Sequence, residues 1–93
     1  MPVRPVMRLS RSDLTDLNAF RAVERLRSFT LAAVELGITT SALSHAVRNL
    51  ETRLGVRLLN RTSRTVSPTE AGARLAERLN VGFAEISEAL DDI

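Results

Sequence analysis

Ninety-three residues with no cysteine, 44% hydrophobic and 26% charged, describe one soluble domain and exclude a disulfide framework, a thiolate metal site and a thiol nucleophile. No apolar run is long enough to span a bilayer, and the arginine-bearing N-terminus lacks the continuous apolar stretch of a signal peptide, so a cytoplasmic protein is expected. The net charge is only +2, but all thirteen basic residues are arginine; codon bias explains the missing lysine at least as well as function does, and the placement of the arginines says more.

Residues 1–11 carry two prolines and three arginines without a helical period and read as a flexible arm, inert or in basic contact with a partner. Ser12 or Asp13 then caps a first helix over roughly 13–27, with Asp16 in the first turn on the favourable side of the helix dipole. Leu14, Leu17, Phe20, Val23 and Leu26 form its apolar stripe. Ser28 caps a short second helix through Leu31, Val34 and Leu36. Gly37 supplies the left-handed residue that ends it, and Ile38 plugs the turn.

Thr39 or Thr40 caps a third helix that runs to about Leu54. Leu43, Val47, Leu50 and Leu54 share its inward face; Ser41, His45, Arg48 and Thr52 lie opposite, with Ser44 on the flank. Gly55 ends this helix. Val56–Asn60 and Thr65–Ser67 read as two short strands around Arg61-Thr62-Ser63-Arg64, with Arg61 at the base of the hairpin and Arg64 near its tip. Thr69 caps a last helix that continues to the end of the chain. Along it Gly72, Leu75, Leu79, Gly82, Ile86, Ala89 and Ile93 alternate three and four apart, with Phe83 and Leu90 alongside. So small a domain cannot cover that whole stripe, and a partner helix from a second subunit is the expected cover.

The order helix, turn, helix, hairpin, helix predicts a mainly α fold: a winged helix-turn-helix of three helices plus a small β-hairpin wing, followed by a long dimerisation helix. The divisions are 1–11 arm, 12–68 winged domain and 69–93 linker and dimerisation helix. The usual task of this shape is to lay one helix in a DNA groove. Arg48, Arg53, Arg57, Arg61 and Arg64 fall within seventeen residues opposed only by Glu51, a clearly basic stretch. The exposed side chains of the third helix are short apart from Arg48, which suits close approach to base edges. An arginine at a hairpin tip suits a narrow, A·T-rich minor groove.

These positions resemble the DNA-binding half of LysR-type transcriptional regulators. The match runs through Leu17, Phe20, Val23, Glu24, Ser28-Phe29-Thr30, Ala32, Ala33 and Leu36. It resumes at Ala42-Leu43-Ser44, Val47, Leu50-Glu51, Leu54-Gly55 and Leu58, and closes on Arg61, Arg64, Thr69 and Ala71-Gly72. Dense from 13 to 75, it departs in three places. Thr40 stands where the family most often has Gln, Ser41 where Pro or Ser follows, and His45 where Arg is frequent. A branch carrying SALSHAVR and LLNRT.R.V.PTEAG shares the last two. A threonine cannot make the bidentate adenine pair that Gln makes, so one base contact of the family is not carried over.

The resemblance implies that Thr40, Ser41, Ser44, His45 and Arg48 face the major groove and Arg64 the minor groove. It puts Ser28 and Thr30 on phosphates at the second helix's N-terminus, and Thr52 and Arg61 are assigned to the DNA backbone with them. It implies a homodimer through the final helix, here Leu75, Leu79, Phe83, Ile86 and Leu90, on an interrupted palindrome of double-stranded DNA. It further implies that the chain is part of a longer regulator whose small-molecule effector would bind an absent domain.

No metal, cofactor or membrane partner is expected. An enzyme finds little support: Ser44-His45 is the one serine–histidine neighbour pair, and adjacent helical residues do not face each other. A protein-binding module would ask for apolar residues where the third helix shows Ser41, His45, Arg48 and Thr52.

Overall fold

The computed structural model describes residues 9–62 and 64–93. Most of the N-terminal arm and Ser63 of the hairpin lie outside the described residues. In chain order the elements are α1 (Arg11–Leu26), α2 (Phe29–Leu36), α3 (Thr40–Leu54), β1 (Leu59–Arg61), β2 (Val66–Pro68) and α4 (Glu70–Asp91). This is the expected winged helix-turn-helix with a long final helix. No helix among the described residues is long and apolar enough to cross a membrane.

Local chemistry sets each boundary. α1 begins two residues earlier than the sequence predicts, because the cap is Ser10 rather than Ser12 or Asp13. The Ser10 hydroxyl accepts the Asp13 N–H at 3.1 Å, and the Asp13 carboxylate accepts the Ser10 N–H at 3.0 Å, a reciprocal capping box. Ser10 and Arg11 therefore belong to the helix, not to the arm. Ser28 caps α2 and Thr39, not Thr40, caps α3. Gly37 and Gly55 end these two helices at φ of 68° and 69°, a conformation that a side chain would strain.

The core gathers Phe20 and Val23 of α1, Ala32 and Ala33 of α2, Leu43, Val47 and Leu50 of α3, Leu58 and Leu59, and Ala76 of α4. Several apolar residues of the predicted helices and turn stay exposed, Leu31 among them. Leu14 is 42% exposed, because a spacing of three lags the helix period and leaves it about 120° around α1 from Phe20. Leu54, on the inward side of α3, stands at the helix end and is 41% exposed. Ile38 is exposed to the same extent and does not plug the turn. Val34 points outward from α2.

α3 is tied to its neighbours by polar bonds at its C-terminal end. Arg53 reaches two carboxylates of α1, Asp13 at 3.0 Å and the buried Asp16 at 2.9 Å. Glu51 accepts the N–H groups of Leu58 at 2.8 Å and Leu59 at 3.2 Å, which docks the start of the wing onto the helix. The two strands pair antiparallel in the register Leu59 with Pro68, Asn60 with Ser67 and Arg61 with Val66. β1 is shorter than predicted, beginning at Leu59 rather than Val56 and ending one residue later; β2 keeps its predicted length but is shifted one residue toward the C-terminus.

α4 splits its apolar stripe between two surroundings. Gly72 packs so tightly on the Leu58 carbonyl that a Cβ there would lie 1.9 Å from the oxygen. Leu75 and Leu79 pack against the domain's own core, and Arg21 of α1 hydrogen-bonds Asn80 at 3.1 Å and lies over the Phe83 ring at 4.6 Å. Beyond Phe83 the helix leaves the domain, and Ile86, Leu90 and Ile93 are exposed. The sequence stripe is continuous, but only its second half lacks a partner among the described residues.

Candidate nucleic-acid interface

The face of α3 turned away from the core is polar and open. Thr40, Ser41, His45, Arg48 and Thr52 are all exposed, and Ser44 is half-buried on the side toward the wing. Turn and caps account for this placement: Thr39 and Gly37 start α3 where Leu43, Val47 and Leu50 must bury, and the helical period then sends the short polar residues outward.

The wing carries Arg64 at its tip. Thr62 closes the turn: its N–H donates to the Thr65 carbonyl at 2.9 Å, and its hydroxyl accepts the N–H groups of Thr65 at 2.9 Å and Arg64 at 3.2 Å. The backbone of the tip is thereby held while the Arg64 side chain stays exposed. At the other flank, the Ser28 oxygen accepts the Leu31 N–H at 3.0 Å, leaving its proton free to donate, and Thr30 is exposed in the first turn of α2.

Arg61 is placed differently from the free backbone contact the sequence suggests. Its guanidinium stacks on the Phe29 ring at 4.2 Å from the centroid and donates from Nη1 to the Ser44 hydroxyl at 3.0 Å. Burial pushes its pKa below the ordinary guanidinium value; the Glu51 charge opposes that shift and the charges of Arg48 and Arg57 add to it. Even so, a guanidinium stays protonated at any working pH. One side chain thus links the wing to both helices of the helix-turn-helix, and it takes up an acceptor position on Ser44.

Phe29 and Glu51 are the partners the sequence reading did not assign a task. Phe29 begins α2 and needed the tertiary fold to meet Arg61. The signal for Glu51 was its isolation as the one acid in a basic stretch. Of the residues expected to dimerise, Leu75 and Leu79 are half-buried in the chain's own core, Phe83 is half-covered by Arg21, and Ile86 and Leu90 are free.

Residues 14–73 match the family described as bacterial regulatory helix-turn-helix protein, lysR family. The chain is 49% identical over 83 residues to the uncharacterized HTH-type transcriptional regulator YcaN of Escherichia coli K12, covering 89% of this chain and 28% of that protein. It is 48% identical over 82 residues to the HTH-type transcriptional regulator PgrR of the same organism, covering 88% and 27%. The fold is similar to that of the BenM DNA-binding domain in a complex with catB site 1 DNA, with a TM-score of 0.80, 35% identity, and coverage of 84% of this chain and 87% of that one. It is also similar to oxidized Corynebacterium glutamicum OxyR, with a TM-score of 0.80, 31% identity, and coverage of 94% and 27%. The chain spans little more than a quarter of the length of the curated regulators it matches. An outward polar face on the helix after the glycine turn, a wing anchored beside it and a sequence match over both make this chain a member of the lysR family of bacterial regulatory helix-turn-helix proteins, of which it holds the DNA-binding domain.

Proposed function

We propose that the chain binds double-stranded DNA sequence-specifically as a homodimer, each protomer reading one half of an interrupted palindrome. The observation that carries this reading is the pairing of the short, open polar face of α3 with the exposed Arg64 on an anchored wing. Such a helix enters a major groove, and an arginine at such a tip enters the adjoining minor groove. Thr40, Ser41, His45 and Arg48 face base edges, while Ser28, Thr30 and Thr52 meet phosphates. Ser44 reaches a base only with the hydroxyl proton that Arg61 leaves free. The BenM DNA-binding domain, similar in fold, forms complexes with DNA sites.

Support for the homodimer comes from the free end of α4. Ile86, Leu90 and Ile93 line up beyond the domain, and Ile86 and Phe83 border a mainly apolar groove of about 620 Å³ shared with Leu14, Ile38 and Ala42. A second copy of α4 laid along that stripe covers what the chain itself leaves open, and a two-fold dimer reads half-sites about one helical turn, or multiples of it, apart.

Selection of binding sites from random duplexes tests the reading. A symmetric enriched site is expected, and Arg64→Ala should lose the A·T preference at its flanks while keeping the core of each half-site. Absence of any enrichment with dimeric wild-type protein would overturn it.

A further inference from the structure

Where α3 ends at Gly55 and the chain turns into the wing, an open cleft of about 420 Å³ is lined by Arg48, Thr52, Arg57 and Arg61, with Glu51 at its floor. Glu51 supplies one negative charge there, its Oε2 accepting the Leu58 and Leu59 N–H groups. Between Glu35 and Glu70 it is the only acidic residue. Elsewhere in the chain Arg25, Arg27, Arg53 and Arg74 each hold a carboxylate. Among the described residues Arg48 and Arg57 make no such ion pair, and both of their charges bear on Arg61. Three positive charges against the single charge of Glu51 leave the cleft net positive and suited to an anion.

We infer that this cleft seats one backbone phosphate of the DNA strand running between the two grooves, held by Arg57 and the Thr52 hydroxyl, with the charge of the base-facing Arg48 beside them. The inference rests on the DNA-binding reading above and adds Arg57, to which nothing so far gives a role. The placement follows from duplex geometry. The cleft lies between the helix that reads the major groove and the wing that reaches the minor groove, and what separates two neighbouring grooves of a duplex is a phosphate backbone. Arg61 contributes charge from behind, being turned toward Phe29 and Ser44. Among the described residues nothing else occupies the donors of the exposed Arg57, and a guanidinium fork fits phosphate oxygens.

The test measures affinity against salt for the 93-residue protein on its selected duplex and on a scrambled one. Arg57→Gln should weaken both by the same factor, roughly tenfold, as one charge-assisted contact per protomer is worth. It should also lower the salt slope by about 0.9 per protomer. Duplexes with a single methylphosphonate at successive positions should reveal one neutralised phosphate per half-site that costs wild type affinity and costs Arg57→Gln nothing further. Equal methylphosphonate losses in both proteins would overturn the inference. So would an unchanged slope, or a slope lowered as much by Arg78→Gln on α4. Shifts on adding inorganic phosphate that disappear in Arg57→Gln, with its DNA slope unchanged, would make the cleft a small-anion site and overturn the assignment to DNA. Failure of wild type to select any duplex would instead overturn the function itself, and this inference with it.

Discussion

Arg61 shows how one side chain governs a surface it does not itself present. Its stack on Phe29 and its bond to Ser44 set the wing's angle to α3, and so where Arg64 points. Removing the ring should loosen that angle without touching the base-facing residues. Phe29→Ala is therefore expected to lower discrimination at the A·T flanks by about five- to tenfold, an exposed cation–π contact being worth about 0.5–1 kcal/mol and a desolvated one more. Phe29→Tyr should retain it. In an Arg64→Ala background the Phe29→Ala change should cost flank discrimination nothing further, which a double-mutant cycle on competing duplexes would measure. The two α4 glycines offer a second test at this scale. Gly72→Ala drives a Cβ into the Leu58 carbonyl and should cost about 3 kcal/mol in chemical denaturation. Gly82→Ala meets open space and should stabilise by about 0.5–1 kcal/mol. The Leu58 backbone against one and the open space around the other separate these two glycines.

Among the elements, the start of α1 depends on ionisation. Hydrogen bonds from the Ser10 backbone and hydroxyl hold the Asp13 carboxyl below its ordinary value; slight burial opposes them and the Arg53 charge assists. A carboxylate depressed on folding contributes stability that is fully present above its unfolded value, near ~3.9, and is lost as pH falls through the lower folded value. The melting temperature of wild type should fall through that acid window. Ser10→Ala should cost about 1 kcal/mol at neutral pH through loss of the cap, and its acid dependence should be somewhat shallower because the hydroxyl's share in depressing Asp13 is gone while the larger backbone N–H share remains. An identical pH profile in the two proteins would refute the capping-box account. Element ends were legible wherever a cap or a left-handed glycine marks them, as at Ser28, Gly37, Gly55 and Thr69. The S-x-x-D pattern at Ser10 was equally present but competed with Ser12 and Asp13, and only the bonds decide among the three. Arg53 read as part of a basic surface because Asp13 and Asp16 lie far from it in sequence.

For the whole molecule, α4 is both an internal brace and an extension that leaves the domain. Leu75 and Leu79 serve the first role, and Ile86 and Leu90 are free for the second. The paired change Ile86→Asp with Leu90→Asp should therefore leave the thermal melt of the monomeric fold nearly unchanged. It should shift sedimentation to the monomer and weaken binding to a duplex with two half-sites by about a hundredfold or more, the usual gain from linking two sites. Binding to an isolated half-site should change little. A dimer surviving the double substitution would remove α4 as its seam.

The sequence by itself determined the element order, the turn glycines, the caps at Ser28 and Thr69, the polar side of α3 and the exposed wing arginine. These follow from helical period, glycine chemistry and alternation, which act over a few neighbouring positions. The tertiary structure decided which arginines are spent and which are free. Arg53 goes to α1, Arg61 to Phe29 and Ser44, and Arg21 to Phe83 and Asn80, while Arg48, Arg57 and Arg64 remain outward. It also divided one continuous apolar stripe into a covered and an uncovered half. The reason is physical: a side chain's partner is set by what folds against it, and those partners lie up to 62 positions away in the chain, as Phe83 does from Arg21.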